Sequence, residues 1–191
     1  PITFINYPGE TPVLQFVPIT TPALWLNGKS WIVVNGLKID GGSMAVLLNN
    51  GAANNQILNC EIIHGYWQGM DIQGGTNNLV RGNLIHDNVL QNWPRTGTNG
   101  WGHGSGVAFG SGNIYEYNYI YWNHGEGLSF IDGSSGNIAR YNVIADNFST
   151  NLYEDSSSND TFDGNFVYLT DTAKNWPGHG ASNASGFSAA V

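Results

Sequence analysis

The chain reads as an all-β solenoid, one polypeptide wound into parallel coils stacked along an axis. Three observations predict it. First, six segments of one pattern recur: VVNGLKID at Val33, ILNCEIIH at Ile57, LVRGNLIH at Leu79, IYEYNYIY at Ile114, IARYNVIA at Ile138 and TFDGNFVY at Thr161. Their starts are 24, 22, 35, 24 and 23 residues apart, which is the length of a coil rather than of a hairpin. Second, like residues fall at like positions within the segments. Third, no stretch keeps helical periodicity beyond a turn.

The elements follow in chain order. Residues 1–30, opening PITFINYPGETPVL, form an entry coil. Residues 31–171 hold regular coils of 22–24 residues, about six to seven in the whole chain. Six residues into each segment stand Ile39, Ile63, Ile85, Ile120, Ile144 and Val167, a column that packs like on like in a buried file. Four in stand Leu37, Glu61, Asn83, Asn118, Asn142 and Asn165, and nine in, the third to fifth segments give Asn88, Asn123 and Asn147. Stacked asparagines about 4.8 Å apart pass amide hydrogen bonds from coil to coil, and asparagine tolerates the left-handed backbone of a bend. GMDIQGG, GVAFGSG, GLSFIDG and NLYEDSS repeat in the second half, so each coil carries at least two short strands between Gly, Asn and Ser turns. Residues 172–191 are a loop and a last strand, GFSAAV, and the whole of 1–191 is one domain.

Charge marks the outer faces. Two residues into the segments stand Asn35, Asn59, Arg81, Glu116, Arg140 and Asp163. The sign alternates from Arg81 onward, as a register-pinning salt-bridge ladder needs and a catalytic site does not. Their neighbours Val34, Leu58, Val80, Tyr115, Ala139 and Phe162 then face inward, unless the register slips by one. Asp40, His64, His86 and Tyr121 form another column, which reads as stacked half-exposed rings; with Asp87 it is the nearest approach to a metal set, and no tight ligand spacing supports one. Glu154 falls in the apolar slot of Ile72, Phe109 and Phe130, either through a local bulge or as a functional acid.

These asparagine-bearing coils, with WNHGEGLSF and IADNFSTNLYEDSS, resemble the right-handed parallel β-helix proteins of the pectate-lyase-like group over nearly the whole chain. The resemblance implies a right-handed, single-stranded parallel β-helix. It does not single out an activity, because that group includes lyases, hydrolases, epimerases, phage fibres and proteins without chemistry. Its lyases combine calcium-binding carboxylates with a basic proton acceptor. Here a dense acidic cluster is absent and Lys and Arg are scarce, so no cofactor is indicated, calcium included.

Composition narrows the partners. Charged residues are 10% of the chain, against about 25% in an ordinary domain, while it has 26 glycines and 25 asparagines. Six Lys and Arg and a net charge of −8 argue against nucleic acid, whose phosphates demand cations. No apolar run is long enough to span a membrane. Cys60 is alone, so there is no internal disulfide framework. Sparse lysine with abundant Asn, Gly, Thr and aromatics suggests an extracellular or cell-surface protein.

Solenoid function usually lies in edge insertions. Two are expected, at Val89–Gly104 and Asp171–Ser185, each containing Asn-Trp-Pro and then His-Gly. Trp93, Trp101, Trp122 and Trp176 offer flat faces to sugar rings, and His103, His124 and Glu126 are acid/base candidates. Covering the apolar flank of the coils explains the same tryptophans equally well. Neither end shows an amphipathic cap, so either the sequence is a slice of a longer protein or its ends meet another copy. The leading expectation is a non-catalytic structural or adhesive protein that associates end to end into a filament. A polysaccharide lyase, a glycoside hydrolase or a carbohydrate-binding module using the tryptophan-rich edge is the alternative.

Overall fold

Short β-branched and aromatic runs punctuated by Gly, Asn and Ser leave the chain little choice but brief strands and tight bends. The computed structural model, which describes residues 1–93 and 102–170, shows three strands per coil, where the sequence reading expects at least two. The first sheet contains Ile2–Ile5, Ile32–Asn35, Gln56–Leu58, Leu79–Arg81, Ile114–Glu116, Ile138–Arg140 and Thr161–Asp163. The second contains Val13–Phe16, Lys38–Gly41, Glu61–Ile63, Leu84–His86, Tyr119–Tyr121, Val143–Ala145 and Phe166–Tyr168. The third contains Leu24–Asn27, Met44–Asn49, Gln68–Gln73, His103–Ala108, Glu126–Ile131 and Leu152–Asp155. Paired strands run parallel within each sheet, coil upon coil. No helix of the described residues is long and apolar enough to cross a membrane.

Alternation along each strand sends one face to a shared core. Ile39, Ile62, Ile85, Ile120 and Ile144 are fully buried in one file. Val34, Ile57, Val80, Tyr115 and Ala139 make a second. Burying each large aliphatic side chain contributes about 1.5–3 kcal/mol.

The second regular coil corrects the sequence reading by one residue. Gln56, not Ile57, pairs with Val33 and Leu79. Leu58 therefore replaces Asn59 in the charged column, Cys60 replaces Glu61 in the asparagine column, Ile62 replaces Ile63 in the core file, and Ile63 replaces His64 beside Asp40 and His86. Inward-facing Ile57 and Ile62 fix the parity, because a slip would carry both into solvent. The slot of Glu154 is likewise Ile72, Val107 and Phe130, whereas Phe109 is exposed at a bend.

Asn83, Asn118, Asn142 and Asn165 stand in file at the first bend, between the first and second sheets. Each ladder asparagine donates from its backbone N–H and from Nδ2 to the Oδ1 of the next, at 2.9–3.0 Å. Nδ2 also donates to a carbonyl of the preceding coil, as Asn118 does to Val80. The buried amide is thereby satisfied on every side. The same device recurs twice. Asn88, Asn123, Asn147 and Asn151 run along the second bend, between the second and third sheets. Asn55, Asn78, Asn113, Asn137 and Asp160 run along the third, between the third and first.

The ladder asparagines do not hold the left-handed backbone expected of them. The residue before each one does. At the first bend Asn59, Gly82, Tyr117, Tyr141 and Gly164 have φ of 49–69°. At the second, His64, Asp87, Trp122 and Asp146 have φ of 52–58°. The bend therefore turns one side chain out and the next one in, whatever the residue types.

The salt-bridge ladder forms on the first sheet. Glu116, buried, receives Arg81 on Oε1 and Arg140 on Oε2. Burial opposes its charge, but the Arg140 and Arg81 hydrogen bonds and charges outweigh it and hold the carboxyl below the ordinary range. Asp163 pairs in register with Arg140, whose guanidinium turns to Glu116 instead. The second sheet's outer face carries Lys38–Glu61 at 3.0 Å and His86 stacked on Tyr121 at 4.6 Å.

Candidate functional site

The second bend is where an outward file of polar side chains borders an apolar hollow. Its left-handed positions put His64 and Asp87 on the outside while Asn88 turns inward. Just after it the Leu90–Asn92 turn leads to Trp93, 62% exposed. Together they line a groove of about 560 Å³. Phe16, Val17, Ile19, Tyr66, Leu90 and Trp93 supply its apolar surface, and Asp40, His64, Asp87 and His124 its polar one. These residues come from five successive coils, so the groove runs with the solenoid axis.

Hydrogen bonds hold the polar wall in place. His64 Nδ1 lies 2.7 Å from Asp40 Oδ1, and His86 Nδ1 lies 2.7 Å from Asp87 Oδ2. The His86 hydrogen bond, with the charges of His86, His124 and His64, keeps the Asp87 carboxyl below its ordinary range against the pull of burial. Trp93 meets the buried His124 edge to face at 5.0 Å.

A second cluster lies at the head of the third sheet, immediately after this bend. Asp71 and His103 are both buried there, with His103 Nε2 3.2 Å from Asp71 Oδ1. The imidazole fits because Gly106 has no side chain, and a Cβ there would stand 2.8 Å from His103 Nε2. Gln73 donates to the other Asp71 oxygen at 2.7 Å. On the next coil Glu126, in register with His103, accepts from Ser129 Oγ at 2.7 Å. Burial pushes the Glu126 carboxyl up, against the Ser129 hydrogen bond and the His103 charge. Burial lowers His103, but the Asp71 hydrogen bond and charge, then Glu126 and Asp132, outweigh it and leave the imidazole raised. An imidazole hydrogen-bonded to one carboxyl group and in register with a second is an arrangement that can hold and pass a proton.

The structure thus brings His103 and Glu126 together and seats His124 in the groove wall with Trp93. Trp122 occupies the outer file, edge-on to Tyr121 at 5.7 Å, and does not line the groove. Trp101, Trp176 and the insertion at Asp171–Ser185 lie outside the described residues. His103 and Gly104, assigned to the first insertion, already belong to or join a strand. Asp146, at the second bend, accepts from Thr170 N at 2.6 Å. Sequence reasoning missed Asp71 and Ser129. The signal was the outward parity of Asp71 in GMDIQGG, with Gly106 at the same position one coil on. Among the described residues no group of three His, Cys, Asp or Glu side chains converges as a metal site.

A family model described as right handed beta helix region matches residues 22–187 of the chain. No curated protein matches it.

Proposed function

Because the chain belongs to the family of right-handed β-helix proteins, we propose that it works outside the cell, binding a glycan along the groove at its second bend. The groove itself carries this reading. Its volume of about 560 Å³ falls in the range of small-molecule and oligosaccharide clefts. Its direction suits a linear polymer, since five coils span roughly 19 Å at about 4.8 Å per step. Trp93, 62% exposed, lines it, and Tyr66 and Phe16 add aromatic wall. Titrating linear oligosaccharides while following tryptophan fluorescence tests it. Saturable binding that weakens about tenfold in Trp93→Ala, a change typical of an aromatic anchor, supports the groove. Binding unchanged in that variant removes it.

The polysaccharide-cleaving alternative draws on the Asp71–His103–Glu126 cluster beside the groove. Release of reducing ends or unsaturated products that disappears in Glu126→Gln would move the protein from binder to enzyme. End-to-end assembly draws on a different observation. Ile2, Phe4, Ile5 and Val13, on the first strands of two sheets, are more than half exposed. A further coil laid on that edge, from more of the same chain or from a second copy, would bury them. Sedimentation and electron microscopy test the second-copy version, and a strictly monomeric solution counts against it.

A further inference from the structure

We infer that the groove sorts glycans by charge, taking amino-sugar chains with protonated amines ahead of neutral chains and rejecting polyuronates. This rests on the glycan reading above and names the substrate class of that site. Two carboxylates face the groove, Asp40 and Asp87. Each commits one oxygen to a histidine, Asp40 Oδ1 to His64 and Asp87 Oδ2 to His86. No described group binds the other oxygen of either. The Asp40 side chain is 17% exposed and that of Asp87 39%, so Asp40 is the more sheltered from water and exerts the stronger pull on a cation.

None of the described lysines and arginines lines the groove. Lys38 pairs with Glu61, and Arg81 and Arg140 pair with Glu116. The whole chain carries −8. A uronate chain seated here would set carboxylate against carboxylate with no described lysine or arginine between them. Only the imidazoles of His64, already bound to Asp40, and His124 would offset the charge, whereas an ammonium group finds two acceptors.

The experiment is calorimetry on the full chain with hexamers of glucosamine, N-acetylglucosamine and galacturonic acid, at one pH at which the amines carry charge. The amine hexamer should bind on the order of tenfold tighter than the acetylated one, and the uronate weakest, with the preference shrinking as salt rises. Asp40→Asn and Asp87→Asn should each narrow the gap between amine and acetylated hexamers to about threefold. Asp163→Asn, the same charge change on the far, exposed face of the first sheet, should leave it intact. Equal binding of all three, or a preference for the uronate, overturns the charge rule and leaves the glycan groove standing. If no hexamer or longer oligosaccharide binds, the groove reading itself falls. Should either variant fail to fold, the salt dependence of the unaltered protein still decides.

Discussion

The first and second bends share one backbone and present opposite chemistry. Both turn through a left-handed residue followed by a ladder asparagine, as at Tyr117–Asn118 and Trp122–Asn123. Inside, the two files are alike, each amide closed on its neighbours. Outside they differ. Around the first bend charge closes on itself, Arg81 and Arg140 on Glu116, with Tyr117 stacked on Tyr141 at 5.4 Å. Around the second, Asp40, His64 and Asp87 line a cavity. The inner position is set by the stack, and the outer one is free to carry function.

The comparison breaks first at the inner files. Asn118→Ala strands the N–H and Nδ2 of Asn83 and the carbonyl of Val80, and Asn123→Ala does the same to Asn88 and Ile85. With roughly 1–3 kcal/mol per orphaned buried group, each should lose about 3–5 kcal/mol in urea unfolding. A much smaller loss at Asn123 would show that the bends are not equivalent scaffolds.

Glu116→Gln probes the closed charge of the first bend and should cost about 1–2 kcal/mol at neutral pH. Its carboxyl is depressed in the folded state. Its stabilisation is therefore present above the unfolded value, near 4.3, and is lost as pH falls through the lower folded one. The variant should show a shallower acid-side slope in its melting temperature, and an unchanged slope would contradict the pairing.

Cys60→Asn sharpens the comparison by extending the first file. Cys60 N already donates to Asn83 Oδ1 at 2.9 Å, and Sγ, whose nearer acceptor is the Leu58 carbonyl at 3.1 Å, also lies 4.0 Å from the Val34 carbonyl, the acceptor a ladder Nδ2 would take. A gain of about 1 kcal/mol is expected by denaturant titration, and a loss would mean that the slot at the start of the file is too tight for an amide. The smallest effect lies at the end of the third sheet, where Phe109 has φ 57° and is 69% exposed. Phe109→Gly should raise stability by about 0.5 kcal/mol, relief of the left-handed penalty exceeding the added chain entropy, read as one or two degrees in melting.

The fold was legible because core and ladder columns repeat with one residue type. The first bend's file and the Arg81–Glu116–Arg140 ladder were readable on those grounds. The register slipped where the repeat lapses. Cys60 interrupts the asparagines, and Ile62–Ile63 are apolar on both faces, so alternation gives no parity there. The third bend's file hid behind the same slip, since the misplaced segment start put Gln56 where Asn55 belongs. The groove was scarcely legible at all. Its outer file reads Gly41, His64, Asp87, Trp122 and Asp146, with aspartate alone recurring and not on adjacent coils, and the Asp71–His103 pair bridges 32 residues across an insertion.

The ladders also have a direction. From one ladder side chain to the next, each asparagine gives its backbone N–H and an Nδ2 proton toward the coil made after it and accepts on Oδ1 from the coil made before it, while Nδ2 also reaches back to a carbonyl of that earlier coil. On a ribosome, each newly emerged turn would therefore wait with unquenched donors until its successor arrives, so winding proceeds in the order of synthesis. Asp160, which accepts from Asn137, is the last member of its relay among the described residues.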